Sequence, residues 1–108
     1  MIKAERVLTA WDKTLETRDF SHLSVFLSDD FQFEDTTGEL EDLVTTKSWC
    51  ILGEIRIKNF KIIRENDDYI VATHDVVQDG KPRSNVMVYA EKVNGKFIYW
   101  KIQRAFEM

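Results

Sequence analysis

From Ile55 onward the chain is a succession of apolar and β-branched runs cut by three polar breaks: Glu65-Asn66-Asp67-Asp68, Gln78-Asp79-Gly80-Lys81 and Val93-Asn94-Gly95-Lys96. Asp-Gly and Asn-Gly at the last two breaks tolerate positive φ and are the residues that two-residue hairpins favour. The expectation is four long antiparallel strands, with helices ahead of them to pack on one face. Those helices are legible. Ala4, Val7, Leu8, Trp11 and Leu15 recur at helical spacing and predict a helix from Ile2 to about Thr17 with one buried stripe. Asp19 is placed to cap a second, shorter helix with Leu23, Phe26 and Leu27 on its apolar side, ending in a Ser28-Asp29-Asp30 turn.

Phe31-Gln32-Phe33-Glu34-Asp35 then alternates with a period of two, so Phe31, Phe33 and Asp35 point to one face of a short strand. Between Gly38 and Gly53 the spacing of Leu40, Leu43, Val44, Trp49, Cys50 and Leu52 predicts a third helix, broken near Thr45-Thr46. The order of elements gives an α+β fold, with helices on one face of a curved antiparallel sheet. With 108 residues, 44% of them hydrophobic, there is room for one core and a single domain, 1–108.

A net charge of −4 and mixed placement of Lys and Arg leave no basic field for phosphates, so no nucleic-acid partner is expected. Cys50 has no second cysteine to pair with, and no Cys/His spacing suggests a metal site; no cofactor is implied. No apolar run is long enough to span a bilayer, and Lys3, Glu5 and Arg6 put charge among the first apolar residues, which predicts no membrane association and a cytoplasmic location.

The segment from Asp29 to Gly38 has the pattern D-D-x-x-x-E-D-x-x-G. It resembles the ketosteroid isomerase and SnoaL-like branch of the NTF2-like superfamily, whose cystatin-like cone has the same order of elements. The resemblance implies that Asp35 is the proton-transferring base. It sets Trp11 at the helix position where those isomerases carry an oxyanion-binding Tyr. Aligned on Gly95-Lys96, it also turns Trp100, Ile102 and Arg104 of the last strand into a pocket, with Tyr89 the nearest match to the second oxyanion donor. Both donors depart from the isomerase residues, and steroid isomerisation itself is therefore not implied.

Two-residue turns at Asn94-Gly95 and Asp79-Gly80 pair Trp100 with Tyr89, Ile102 with Met87, Arg104 with Asn85, and His74 with Asn85. In that register a polar row of His74, Asn85 and Arg104 crosses the pocket face. Trp49, Trp100, Met87 and Phe33 complete the expected ligand-binding set. An apolar wall of Phe31, Phe33 and Trp49 is expected to raise the pKa of Asp35, and a neighbouring Arg104 to lower it. Phe60, Ile62, Val71, Val86, Val88, Ala90, Phe97 and Tyr99 fall on the outer face. That is too much apolar surface to stay wet, so a homodimer through this face is expected, as the resemblance also implies.

Two functions fit these residues. One is cofactor-free proton transfer, of isomerase or cyclase type, on a small carbonyl compound, with Asp35 as base and Trp11 and Tyr89 as donors. The other is a non-catalytic module that binds a small apolar or carboxylate ligand or serves as a dimeric scaffold. In it Asp35 caps its own turn, Trp11 is core and Tyr89 is a packing residue.

Overall fold

The computed structural model describes residues 3–106. The elements are α1 (Ala4–Thr17), α2 (Ser21–Ser24), β1 (Leu27–Glu34), β2 (Leu40–Glu41), α3 (Leu43–Cys50), β3 (Ile55–Glu65), β4 (Tyr69–Gln78), β5 (Ser84–Val93) and β6 (Lys96–Phe106). The strands form one curved, open sheet in the order β2-β1-β6-β5-β4-β3. β1 runs parallel to β6 and every other pairing is antiparallel, so the sheet is mixed rather than purely antiparallel.

α1 turns its predicted stripe inward. Ala4, Val7, Leu8, Trp11 and Leu15 are all buried against the sheet, in one cluster with Phe31, Phe33, Val88 and Trp100. The expected start at Ile2 lies outside the described residues. The helix is tied to the sheet by a fork: Arg56 Nε donates to Asp12 Oδ1 at 2.7 Å and its NH2 to Oδ2 at 2.8 Å. The Ile57 N–H adds a third bond to Oδ1 at 3.1 Å. No helix among the described residues is long and apolar enough to cross a membrane.

Three boundaries differ from the sequence reading. α2 is a single turn, with the Asp19 carboxylate accepting from the Ser21 N–H at 3.0 Å, and Ser28-Asp29-Asp30 is not a turn but part of β1. Leu40 and Glu41 form a short strand on β1, pairing Glu34 with Leu40 and Phe33 with Glu41. α3 starts only at Leu43, with the Asp42 side chain accepting from the Thr45 N–H. It then runs unbroken through Thr45-Thr46, because the Thr46 hydroxyl bonds back to the Asp42 carbonyl at 2.8 Å and is satisfied inside the helix.

The register of the long strands is off by one from the expected pairing. Asn94 (φ 53°) and Gly95 (φ 77°) do form a two-residue turn, pairing Val93 with Lys96. A bulge at the next step then shifts the ladder, so that Trp100 faces Ala90, Ile102 faces Val88 and Arg104 faces Val86. The β4–β5 connection is also longer than two residues, and His74 pairs with Val86 while Asp75 pairs with Asn85. Tyr89, Met87 and Asn85 therefore alternate to the outer face, opposite the helices. Conversely, Val86, Val88, Ala90 and Phe97 are fully buried inside. Phe60 and Ile62 also pack on the inner core, and of the eight residues assigned to the outer face only Val71 and Tyr99 lie there.

Candidate functional site

A cavity of about 270 Å³ opens between α1, α3 and the inner face of the sheet. Its apolar wall is aromatic. Trp11 packs on Trp100 with ring centroids 4.7 Å apart, and Phe33 meets Trp49 edge-on at 5.4 Å. The polar groups are Asp35, Glu41, His74 and Arg104. Seven of the ten expected site residues meet here: Asp35, Trp11, Arg104, His74, Trp49, Trp100 and Phe33. Tyr89, Asn85 and Met87 do not. They stand on the opposite face, where Tyr89 is 38% and Met87 51% exposed and the Asn85 amide bonds Asp75 and the His74 carbonyl. The one-residue slip in register is the whole reason, since it inverts alternate residues.

Asp35 follows directly on β1, where the strand gives way to a tight turn. Its Oδ1 accepts three hydrogen bonds: from the Thr37 hydroxyl at 2.6 Å, the Thr37 N–H at 2.9 Å and the Glu39 N–H at 3.0 Å. Oδ2 receives none from the described residues, so one oxygen anchors the carboxylate of a residue that also lines the cavity. The Thr37 hydroxyl holds the carboxyl below its ordinary pKa, against some loss of solvation; the two amides and more distant Lys101 act the same way. No ion pair joins Asp35 to Arg104. The expected opposition between aromatic wall and guanidinium is thus replaced by the turn's own donors.

Glu34, the other acid of the motif, points away. Lys101 Nζ lies 2.7 Å from its Oε2 and the Tyr99 hydroxyl donates to Oε1 at 3.0 Å, and both lower its pKa. Lys101 also donates to the Asp35 carbonyl at 2.8 Å, fixing the strand end that carries the cavity acid.

On the sheet floor, His74, Val86 and Arg104 form a row across β4, β5 and β6. Arg104 Nε donates to the buried Ser84 hydroxyl at 2.7 Å. His74 is 6% exposed, edge-on to Phe60, with Nδ1 3.3 Å from the Asp75 carbonyl. Burial pushes its pKa down, so the ring is neutral at pH 7. Trp11 is 3% exposed, lines the cavity, and has the Cys50 thiol as a neighbour.

Glu41 is the polar cavity residue that the sequence reading missed. It sits in a two-residue strand, inside a segment whose apolar spacing suggested helix. Asp35-Thr36-Thr37-Gly38 carried the available signal, since Gly38 (φ 89°) closes a hairpin turn and β pairing follows from it.

By sequence, the chain matches no protein-family model and no curated protein. By structure it resembles an NTF2-like protein of unknown function from Cytophaga hutchinsonii, at 12% identity and TM-score 0.74 over 97% of this chain and 92% of that one. A Kribbella flavida protein provisionally assigned as a ketosteroid isomerase superposes with TM-score 0.76 at 16% identity, over 95% and 78% of the two chains. An LEH-like epoxide hydrolase from M. tuberculosis gives TM-score 0.62 at 19% identity, over 93% and 80%. The chain has the NTF2-like fold.

Proposed function

We propose that the protein catalyses cofactor-free proton transfer on a small, uncharged carbonyl compound, with Asp35 as the base. The observation that carries this reading is the asymmetry of the Asp35 carboxylate in the cavity lining, one oxygen fixed by three donors and the other with no donor among the described residues. Fixing one oxygen positions the other without neutralising it. The cavity's volume favours a molecule of one or two rings. The ketosteroid isomerase assignment of a structural neighbour is consistent with this chemistry. The test is hydrogen–deuterium exchange at the α-carbon of cyclohexanone in D₂O, followed by NMR. Exchange above the buffer rate that Asp35→Asn abolishes supports the reading; a wild-type rate equal to buffer overturns it.

A second reading, a non-catalytic small-ligand module, draws on the same turn: a carboxylate that caps its own hairpin has a structural reason to be there. On that reading cyclohexanone quenches the cavity tryptophans equally in wild type and Asp35→Asn, with no exchange in either.

We also propose that two copies pair through the outer sheet face. Support comes from the rings of Tyr69, Tyr89 and Tyr99, spaced 5.9 and 6.4 Å apart beside exposed Met87. Light scattering at micromolar concentration is expected to give a dimer mass that Tyr89→Glu halves, and a wild-type monomer mass contradicts it.

A further inference from the structure

Asp35 is held by two kinds of support. Within its own turn the carboxylate accepts from Thr37 and from the Glu39 N–H, the Asp35 N–H donates to the Glu39 carbonyl, and the Asp35 carbonyl accepts from the Gly38 N–H at 3.0 Å. These bonds fix the carboxylate relative to the turn. They do not fix the turn relative to β6, the strand that brings Trp100, Ile102 and Arg104 to the cavity. The pairing of β1 with β6 ends at Glu34 and Lys101, one residue short of Asp35. Beyond that point two contacts join the turn to β6. The Arg104 N–H donates to the Thr36 hydroxyl at 3.1 Å, and Lys101 Nζ donates to the Asp35 carbonyl at 2.8 Å. The first ends on a side chain that can rotate; the second ends on the backbone of Asp35 itself.

Lys101 reaches this carbonyl from the far side of the sheet. Its neighbour Trp100 faces inward, so Lys101 alternates to the outer face, and it is not among the residues that line the cavity. On that face it is paired with Tyr89 across the β5–β6 ladder. Its ammonium lies 2.7 Å from Glu34 Oε2, and the other oxygen of Glu34 accepts from the Tyr99 hydroxyl. The Lys101 side chain is only 21% exposed. A surface ion pair would need Glu34 alone. The second bond, to an uncharged carbonyl at the residue that carries the cavity acid, is what such a pair does not explain.

We infer that Lys101 is a positioning residue of the cavity, reaching from the outer face of the sheet to hold the Asp35 backbone, and so its carboxylate, in register with the cavity wall on β6. The inference rests on the proton-transfer reading above. Lys101 acts through Asp35 and does not touch the reacting atoms. Its charge also favours the ionised form of the Asp35 carboxyl, whereas Glu34 from β1 and Glu41 from β2 carry the same sign as Asp35 and are repelled by it. A base held slightly out of place loses rate rather than affinity.

The experiment follows α-proton exchange of cyclohexanone in D₂O with wild type, Lys101→Met, Lys101→Arg and Glu34→Gln, alongside urea denaturation of each. Lys101→Met is expected to lower kcat by about ten- to a hundredfold with KM nearly unchanged, and to move the acid limb of the pH profile to higher pH. Lys101→Arg, which keeps a charged donor, recovers most of the lost rate and the wild-type limb. Glu34→Gln breaks the ion pair but leaves Lys101 its carbonyl partner, so kcat stays within about threefold of wild type even where stability falls as far as in Lys101→Met. Carboxyl NMR of ¹³C-Asp-labelled protein, with Asp35 assigned by its loss in Asp35→Asn, reads the same contact without turnover: Asp35 titrates higher in Lys101→Met and at the wild-type value in Lys101→Arg. An active wild type matched by an equally active Lys101→Met overturns the inference and leaves Asp35 as base. Equal losses of kcat in Lys101→Met and Glu34→Gln overturn it as well, and make the lysine half of a structural ion pair. So does an Asp35 titration that Lys101→Met leaves unmoved. A wild type that exchanges no faster than buffer overturns the proton-transfer reading and this inference with it.

Discussion

The Thr37 hydroxyl donates to Asp35 Oδ1 at 2.6 Å, the shortest of the three bonds that hold this carboxylate in its turn. Thr37→Val removes that bond with little change of shape and keeps the backbone donor. The Asp35 pKa is expected to rise toward its ordinary value, since a donor to the charged form has been lost. The acid limb of the exchange profile should move to higher pH by the same amount. Thr37→Ser, which retains a hydroxyl, should restore the wild-type limb. A limb unmoved in Thr37→Val would show that another group controls it.

Asp12 and Arg56 form the fork that joins α1 to β3. Burial raises the Asp12 pKa, but the Arg56 bonds and the Ile57 N–H outweigh it and the net shift is downward. A depressed carboxyl stabilises the fold above its unfolded pKa, and that contribution disappears as pH falls through the folded value. Arg56 is partly exposed and solvent-screened, so Asp12→Asn is expected to cost about 1–2 kcal/mol at pH 7. In urea denaturation the gap between wild type and variant should narrow as pH drops below about 4. A gap that stays constant into strong acid would show that the loss is one of packing rather than charge.

How far these arrangements could be read beforehand depended on whether a local residue marks each one. The stripe on α1 was legible because Ala4, Val7, Leu8, Trp11 and Leu15 repeat over several turns. The Asn94-Gly95 turn was legible because its positive φ angles demand those residues. The bulge just beyond it carries no such mark: Ile98 and Tyr99 suit a regular strand, and only the packing of both Phe97 and Trp100 inward, rings 5.3 Å apart, requires the extra residue. At the β4–β5 connection a mark was present. Pro82 has no N–H to give a ladder, which lengthens the loop beyond Asp79-Gly80 and shifts the register. The first shift alone moved Tyr89, Met87 and Asn85 out of the site. Trp100 and Arg104 stayed in it because the inner face had been chosen from the last strand itself, and His74 stayed because the second shift cancels the first across β4. β2 is too short to show any period, and Glu41 was lost with it.

His74 is a buried base whose pKa is lowered by loss of solvation. Between its folded value and the ordinary value near 6.5 the unfolded chain binds more protons than the folded one, so stability rises with pH across that window. Wild type should therefore lose stability as pH falls below about 6.5. His74→Gln should flatten this part of the curve, whatever it costs at pH 7. Equal slopes for the two proteins between pH 5 and about 7 would mean that the ring is hydrated in the fold.

Cys50 reports on the same interior without any substitution. It is 0% exposed, beneath Trp11, and burial pushes its thiol up to about 12. At pH 8 an ordinary thiol is about a quarter ionised and reacts readily, whereas the reactive thiolate of Cys50 is almost absent and screened by the core. Labelling by a disulfide reagent should be slow in native buffer and immediate in urea. With Cys50 fully buried at the end of α3, the native labelling rate is expected to rise with urea along the slope of global unfolding. A rate independent of urea would reveal local opening of α3 over the cavity.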